Sequence, residues 1–309
     1  MKKILLAGAG GRLGAELLGE LGRRGYAVRA LVRDPARLKG GAGAGRAEVR
    51  VADARSPESL RGACDGVDAV VSAMGASLSL GRTPAGEGFR EVDLGANLNL
   101  LAEAKRAGAR KFVYVSLHGA EGMRGLGYVD AHEEFVEALA ASGLDYTVVR
   151  PTGFFYVFEE IFKMASARGR VLLVGDGSAR TNPVSEDELA RECADAVEVG
   201  EREVSVGGPE TYTRREIAEM AFESLGRRPK ITSLPPSLVR AMIAPVKLFD
   251  RRLYDFLAFG VAVSTTDVVA PPAGRASLRR HFRRLAGVES GAFSIHLTSP
   301  AKAAETGSF

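Results

Sequence analysis

The chain has 309 residues, 46% hydrophobic and 26% charged, with a formal net charge of +4. Such a composition suits a globular protein that buries one extensive core, or a core with a satellite, without disulfide or metal staples. The basic excess is mild and only residues 275–284 cluster it, so there is no clear nucleic-acid footprint. Cys64, Cys193 and the histidines never approach metal-ligand spacing, so no metal is expected, and no Gly-x-Ser-x-Gly elbow marks a hydrolase.

Met1-Lys2-Lys3 leads straight into a short apolar run and glycines, leaving no room for the apolar core of a secretory leader, so the cytoplasm is the expected compartment. Short aliphatic runs at 4–7, 27–32, 49–52, 69–73 and 111–116 alternate with helical patterns such as 13–23. Repeated βαβ units of this kind predict an α/β fold, a doubly wound parallel sheet whose strands are apolar throughout because helices cover both faces. A helix over about 128–141 closes at Ser142-Gly143, and a sixth strand follows at 146–149. Residues 1–155 are thus expected to form a Rossmann-type dinucleotide-binding domain.

Beyond Arg150 the elements shorten: a helix near 159–167, strands near Val171 and Val204, helices from Glu186 and Arg214, and a break at Pro235-Pro236. Residues 156–286 read as a smaller C-terminal substrate or lid region, interleaved with the sheet because no Gly/Ser linker divides them. The apolar stretch 238–263 is interrupted by Arg240, Lys247, Asp250, Arg251, Arg252 and Asp255, too often for a membrane span. It reads as an amphipathic helix serving as a lid or partner surface, or as a peripheral membrane contact. Residues 287–309 lack periodicity and are expected to fray, with His281 and His296 solvated. Nothing in the pattern indicates an oligomeric state.

The chemistry concentrates where the first strand meets the first helix, at Gly8, Gly10, Gly11, Arg12, Leu13 and Gly14. Glycines there permit a tight turn, let backbone amides approach a pyrophosphate and allow close helix packing, while the helix N-terminus supplies partial positive charge. The second strand ends Arg33-Asp34. A basic residue at that place accepts a 2′-phosphate, with Arg12 a second candidate for it, and an acid binds ribose hydroxyls, so NADP(H) is favoured and NAD(H) stays open. Arg33 and Asp34 can equally be an exposed strand end that caps the next helix. Asp53, after the third strand, is placed for the adenine amino group, and Ala73, Met74 and Gly75 end the fourth strand beside the cofactor.

Together with Val92-Asp93 and Asn97, Phe112-Val113-Tyr114-Val115-Ser116, Arg150-Pro151-Thr152-Gly153-Phe154-Phe155 and Gly175-Asp176-Gly177, the glycine turn resembles the short-chain dehydrogenase/reductase superfamily, in its atypical NmrA-like branch. The resemblance implies a seven-stranded Rossmann sheet with NAD(P) across its C-terminal edge and Pro151 and Thr152 beside the nicotinamide. It implies a small-molecule substrate, yet the branch also contains members that sense or scaffold, and fold does not choose.

Catalytic members of the superfamily carry a tyrosine and, four residues later, a lysine; here the pair is Tyr128 and His132. A mostly neutral imidazole lowers the tyrosine pKa less than an ammonium does, though it can contact the ribose or pass a proton. Tyr128 is either catalytic or a lining residue. Ser116 and His118 follow the fifth strand and are candidates to orient substrate, whereas Glu133, Glu134 and Glu137 read as a solvated helix face. The expectation is an NADP(H)-dependent oxidoreductase moving hydride to or from a small apolar carbonyl, quinone or conjugated compound. The alternative is a non-catalytic NAD(P)-responsive regulator or assembly factor.

Overall fold

A computed structural model describes residues 1–38, 44–75, 88–198 and 200–288. The expected tail lies outside these residues except for Gly287 and Val288, and so does His296. The first half runs β1 (Lys3–Ala7), α1 (Arg12–Arg23), β2 (Ala27–Val32), β3 (Glu48–Val51), α2 (Pro57–Leu60), β4 (Ala69–Ser72), α3 (Ala96–Arg106), β5 (Lys111–Val115), α4 (Gly127–Ala140) and β6 (Asp145–Pro151). The second half runs α5 (Phe155–Lys163), β7 (Val171–Val174), β8 (Arg180–Thr181), α6 (Glu186–Asp195), β9 (Glu203–Val206), β10 (Tyr212–Thr213), α7 (Arg214–Ser224), β11 (Ile231–Leu234), α8 (Pro236–Ile243), α9 (Arg251–Thr265) and α10 (Leu278–Leu285).

Seven strands form one parallel sheet in the order β3-β2-β1-β4-β5-β6-β9. Alternate residues of a strand face opposite sides, and β1 shows why its run is apolar without interruption. Leu5 and Ala7 enter a core shared with Leu60, Leu100, Phe135 and Leu139, beneath α2, α3 and α4, while Ile4 and Leu6 enter a second core with Leu17, Leu21, Leu189 and Cys193, beneath α1 and α6. The reversal of strand order between β1 and β4 opens a crevice at their C-terminal ends, where doubly wound folds bind ligands.

The seventh strand, near Val204 as expected, returns from the second half and pairs with β6, and α6 returns with it to pack on α1. The strand near Val171 does not join the main sheet; β7 pairs with β11 in a separate two-stranded sheet. A third core joins Phe155, Phe158 and Phe162 of α5 with Ile217 and Phe222 of α7 and Leu278 and Phe282 of α10. The basic cluster at 275–284 is therefore largely the outer side of a helix whose Leu278 and Phe282, at i and i+4, are buried.

Three expectations need correction. The stretch 238–263 is not one helix: α8 ends, a 3₁₀ turn spans Ala244–Leu248, and α9 starts anew. Pro245 lacks an amide donor and crowds the preceding turn, and the Asp250 carboxylate caps the new helix by accepting from the Leu253 amide at 2.9 Å. His281 is not solvated either; it sits on α10, partly buried, with Nε2 3.2 Å from Glu159. Glu133 is not on a solvated face. It is buried on α4 and receives two bonds from Arg150 of β6, Nη1 to Oε1 at 2.5 Å and Nη2 to Oε2 at 3.0 Å. Glu134 and Glu137 do face outward, paired with Arg90 and Arg124.

Arg150 also places Nε 2.6 Å from Glu203 of β9, so one guanidinium clamps a helix and the returning strand onto β6. Removing one member of a buried pair strands the other charge. Arg150→Met is expected to lower the unfolding free energy by about 3–5 kcal/mol in urea titrations, and the double variant Arg150→Met/Glu133→Leu to recover most of that loss.

Candidate functional site

β1 ends at Ala7, and Gly8 turns the chain with φ of +84° in the left-handed region. A Cβ on Gly8 would lie 2.6 Å from the Ala73 carbonyl oxygen, and one on Gly14 would lie 2.1 Å from the Gly8 oxygen. Glycine is required at both for different reasons: conformation and clearance from β4 at the first, contact of α1 with the turn itself at the second. The Gly11 amide donates to the Gly8 carbonyl at 2.9 Å, closing the turn, and Gly10 passes close under Arg37, whose Cβ a side chain would meet at 3.2 Å. Helix α1 begins with Gly11 at its N-cap and no side-chain cap. Its first amides and the positive end of its dipole are thus left to an anion. This bare backbone cradle fits a dinucleotide pyrophosphate. Leu13 contributes backbone only, because its side chain is in the core.

Arg12 departs from expectation. Its guanidinium makes two bonds to Glu159 of α5, at 2.9 and 3.1 Å, and lies over the Tyr156 ring, 5.2 Å from its centroid. The pairing directs it toward the second half of the chain instead of the end of β2. Burial alone would raise the Glu159 pKa, but the bonds from Arg12 and the contact with His281 hold it below the usual range. At the end of β2, Arg33 is exposed, while the Asp34 carboxylate accepts from the Ala36 amide at 2.9 Å and caps a short 3₁₀ turn, Pro35–Arg37. Asp34 thus has the capping role that sequence left open. Asp53 follows β3, partly exposed, with its carboxylate held below the ordinary pKa first by bonding to Arg55.

Ala73, Met74 and Gly75 leave β4 next to this turn, the Ala73 amide donating to Ala7 at 3.0 Å. Behind them lies a buried polar cluster. Ser72 donates to Asn97 Oδ1 at 2.6 Å, Asn97 Nδ2 donates to the Asp93 carbonyl at 2.8 Å, and a Cβ on Gly75 would touch the Asp93 carboxylate at 3.0 Å. Asp93 Oδ1 is 3.3 Å from His132 Nε2, and His132 Nδ1 is 2.6 Å from the Tyr114 hydroxyl. Burial first, then the Asp93 charge, pushes the Tyr114 pKa well up, so its hydroxyl donates and Nδ1 accepts. His132 is 4% exposed, with Nδ1 bonded to Tyr114 and Nε2 near Asp93 but without a hydrogen-bond partner among the described residues.

Tyr128 packs its ring against Phe89, His132 and Phe259 of α9, with centroids 5.1, 4.7 and 4.6 Å away. Its hydroxyl has no hydrogen-bond partner among the described residues. Burial and the Asp93 charge push its pKa well above the ordinary tyrosine value. Ser116, expected to orient substrate, is buried and faces Glu133 at 3.3 Å and Arg150 at 3.4 Å, inside the clamp. His118 is half-buried with Nδ1 3.1 Å from the Ser205 hydroxyl. At the end of β6 the Pro151 carbonyl accepts from the His118 amide at 3.0 Å, and the Thr152 hydroxyl donates to the Asn182 carbonyl at 2.6 Å.

Sequence reading gave no role to Tyr114, Asp93 or Glu159. Asp93 and Asn97 stand four apart, one helical turn, which was a readable sign of a shared face. Among the described residues no group of His, Cys, Asp or Glu is arranged to hold a metal. Gly8→Ala puts a methyl against the Ala73 carbonyl and a side chain on a left-handed residue, and is expected to abolish nicotinamide fluorescence enhancement while far-ultraviolet circular dichroism is retained.

Comparison with known proteins agrees with this geometry. Residues 8–199 match the NAD(P)H-binding family. The chain is 30% identical over 257 residues to the chloroplastic divinyl chlorophyllide a 8-vinyl-reductase of Zea mays, covering 78% of this chain and 63% of that protein, less than two thirds of its length. It is 23% identical over 261 residues to the photosystem II assembly factor Ycf39 of Trieres chinensis, with 83% and 80% covered. The fold is that of the NADPH-dependent quinone oxidoreductase of Escherichia coli solved with NADPH, with a TM-score of 0.73, 23% identity and 91% and 99% of the chains covered. With its glycine cradle at the switch point of a seven-stranded parallel sheet, the chain belongs to the NAD(P)H-binding family.

Proposed function

We propose that the chain is an NADP(H)-dependent reductase that delivers hydride to a flat apolar acceptor such as a quinone, enone or vinyl-substituted ring. The observation that carries this reading is the Tyr128 phenol: protonated, without a hydrogen-bond partner among the described residues, and linked to the cofactor edge through Gly75, Asp93 and His132. No ammonium lowers its pKa, so it suits donating a proton to a developing oxyanion or carbanion better than removing one from an alcohol. Reduction is therefore favoured over dehydrogenation.

Bound NADPH supplies the hydride. The amides of the glycine turn hold its pyrophosphate, Arg33 takes the 2′-phosphate, Asp53 the adenine amino group, and Pro151 and Thr152 border the nicotinamide end. The Asp93, His132 and Tyr114 cluster fixes the imidazole as a wall against Tyr128. His118, half-buried past β5, borders the acceptor. Residues 156–286, apart from α6 and β9, form the substrate region, and Phe259 of α9 closes the site over Tyr128. The names of the maize and Escherichia coli proteins, a vinyl reductase and a quinone oxidoreductase, support the acceptor class.

A second reading, a dinucleotide-responsive assembly factor, is favoured by one observation: His132 stands in the lysine position with both nitrogens turned to protein groups. The name of the Trieres chinensis relative supports it.

Nicotinamide fluorescence titrations are expected to show NADPH binding about tenfold or more tighter than NADH, the advantage disappearing in Arg33→Ala, since one charge-assisted contact is worth at least ~1.4 kcal/mol. Equal affinities in the unaltered chain refute the cofactor choice. Across a panel of quinones and enones, NADPH oxidation is expected, and Tyr128→Phe is expected to lower kcat about a hundredfold while NADPH still binds. Cofactor binding without turnover of any acceptor favours the second reading.

A further inference from the structure

The connection from α8 to α9 carries the most exposed apolar side chains of the second half. Helix α8 and the turn Ala244–Leu248 have no buried residue, and α9 has only Val261. Leu238 and Met242, one helical turn apart on α8, are 48% and 65% exposed, and at the tip Leu248 and Phe249 are 83% and 88% exposed. Apolar groups this open, on adjoining elements, mark a surface that is covered in use.

The charges around them say by what. Along the chain, Arg240, Lys247, Arg251 and Arg252 stand on either side of the tip, against Asp250 and Asp255. Both carboxylates are spent within the protein: Asp250 caps α9, and Asp255 pairs with Arg251 and lies against Gly127. Arg240, Lys247 and Arg252 have no carboxylate partner among the described residues, and Lys247 rests beside the Tyr254 ring, 5.6 Å from its centroid. A protein interface keeps charge out of its apolar centre. Here Lys247 directly precedes Leu248 and Phe249, and Arg251 and Arg252 follow just after the capping Asp250, a pattern that suits a segment lying in a lipid interface. No helix among the described residues is long and apolar enough to cross a membrane, so the contact is peripheral.

We infer that this tip docks on an anionic lipid bilayer, with Leu248 and Phe249 entering the boundary between headgroups and acyl chains while Lys247, Arg240 and Arg252 meet lipid phosphates. Docking needs neither bound cofactor nor turnover, so it stands apart from the reductase reading. The test is co-sedimentation of the full chain with phosphatidylglycerol and with phosphatidylcholine vesicles, at low and high salt. The chain is expected to pellet with the anionic vesicles, much less with the zwitterionic ones, and to be released by salt. Leu248→Ser/Phe249→Ser, which removes no buried side chain, is expected to weaken binding at least about tenfold. Lys247→Gln/Arg252→Gln is expected to weaken it about fivefold for each charge. No binding to phosphatidylglycerol, or binding that the Ser variant leaves intact, overturns the proposal. So does a concentration-dependent dimer that the Ser variant abolishes, without vesicle binding, since the tip then covers a second copy.

Discussion

The cofactor edge exists because backbone meets backbone between Gly8 and Ala73 and again between Gly8 and Gly14. These contacts leave no volume for a single methyl group, and they bring the end of β1, the start of α1 and the end of β4 into one surface lined by peptide groups. The turn amides and the end of β4 proposed to touch the dinucleotide hang from elements whose position follows from that approach. A bulkier turn would lift α1 from the sheet, separating the helix amides from the strand ends they serve with.

A second constraint sits on the other side of the crevice. Arg150 joins β6 to α4 through Glu133 and to β9 through Glu203. Glu203 is half-exposed, but Arg150 and Glu133 lie far from water and need each other, and this fixes the rotation of α4 about its axis. That rotation in turn aims His132 at Asp93 and Tyr114 and sets the Tyr128 ring against Phe89 and Phe259. The clamp and the aromatic cluster are neighbours on one helix, so the geometry of the aromatic cluster is held by an ion pair that lies outside it.

The sheet was legible because its strands are buried on both faces, and a run such as Ile4 to Ala7 has no other stable placement. The glycine turn was legible because its residues answer to local backbone sterics. What escaped depends on partners far away in sequence. Glu133 sits among outward-facing glutamates, and Arg150 and Ser116, from other parts of the chain, draw it inward. His132 finds Asp93, and Arg12 finds Glu159, across even longer separations. The strand near Val171 looks like any other aliphatic run, and its absence from the main sheet follows from pairing with β11. The break within 238–263, by contrast, was signalled by Pro245 and Asp250, and the buried side of α10 by the spacing of Leu278 and Phe282.

Glu159 joins Arg12 at the first turn of α1 to His281 on the last described helix, contacts that span 147 and 122 residues of chain. Burial lowers the His281 pKa, so a neutral imidazole donates to a carboxylate that Arg12 keeps ionised. Ends so widely separated meet late in folding, because closing a long loop precedes any gain from the contact. A nascent chain can complete its glycine turn early, but the arginine beside that turn finds Glu159 only once α5 has been made. Glu159 is itself held by α10, so the setting of the nucleotide edge draws on residues far along the chain.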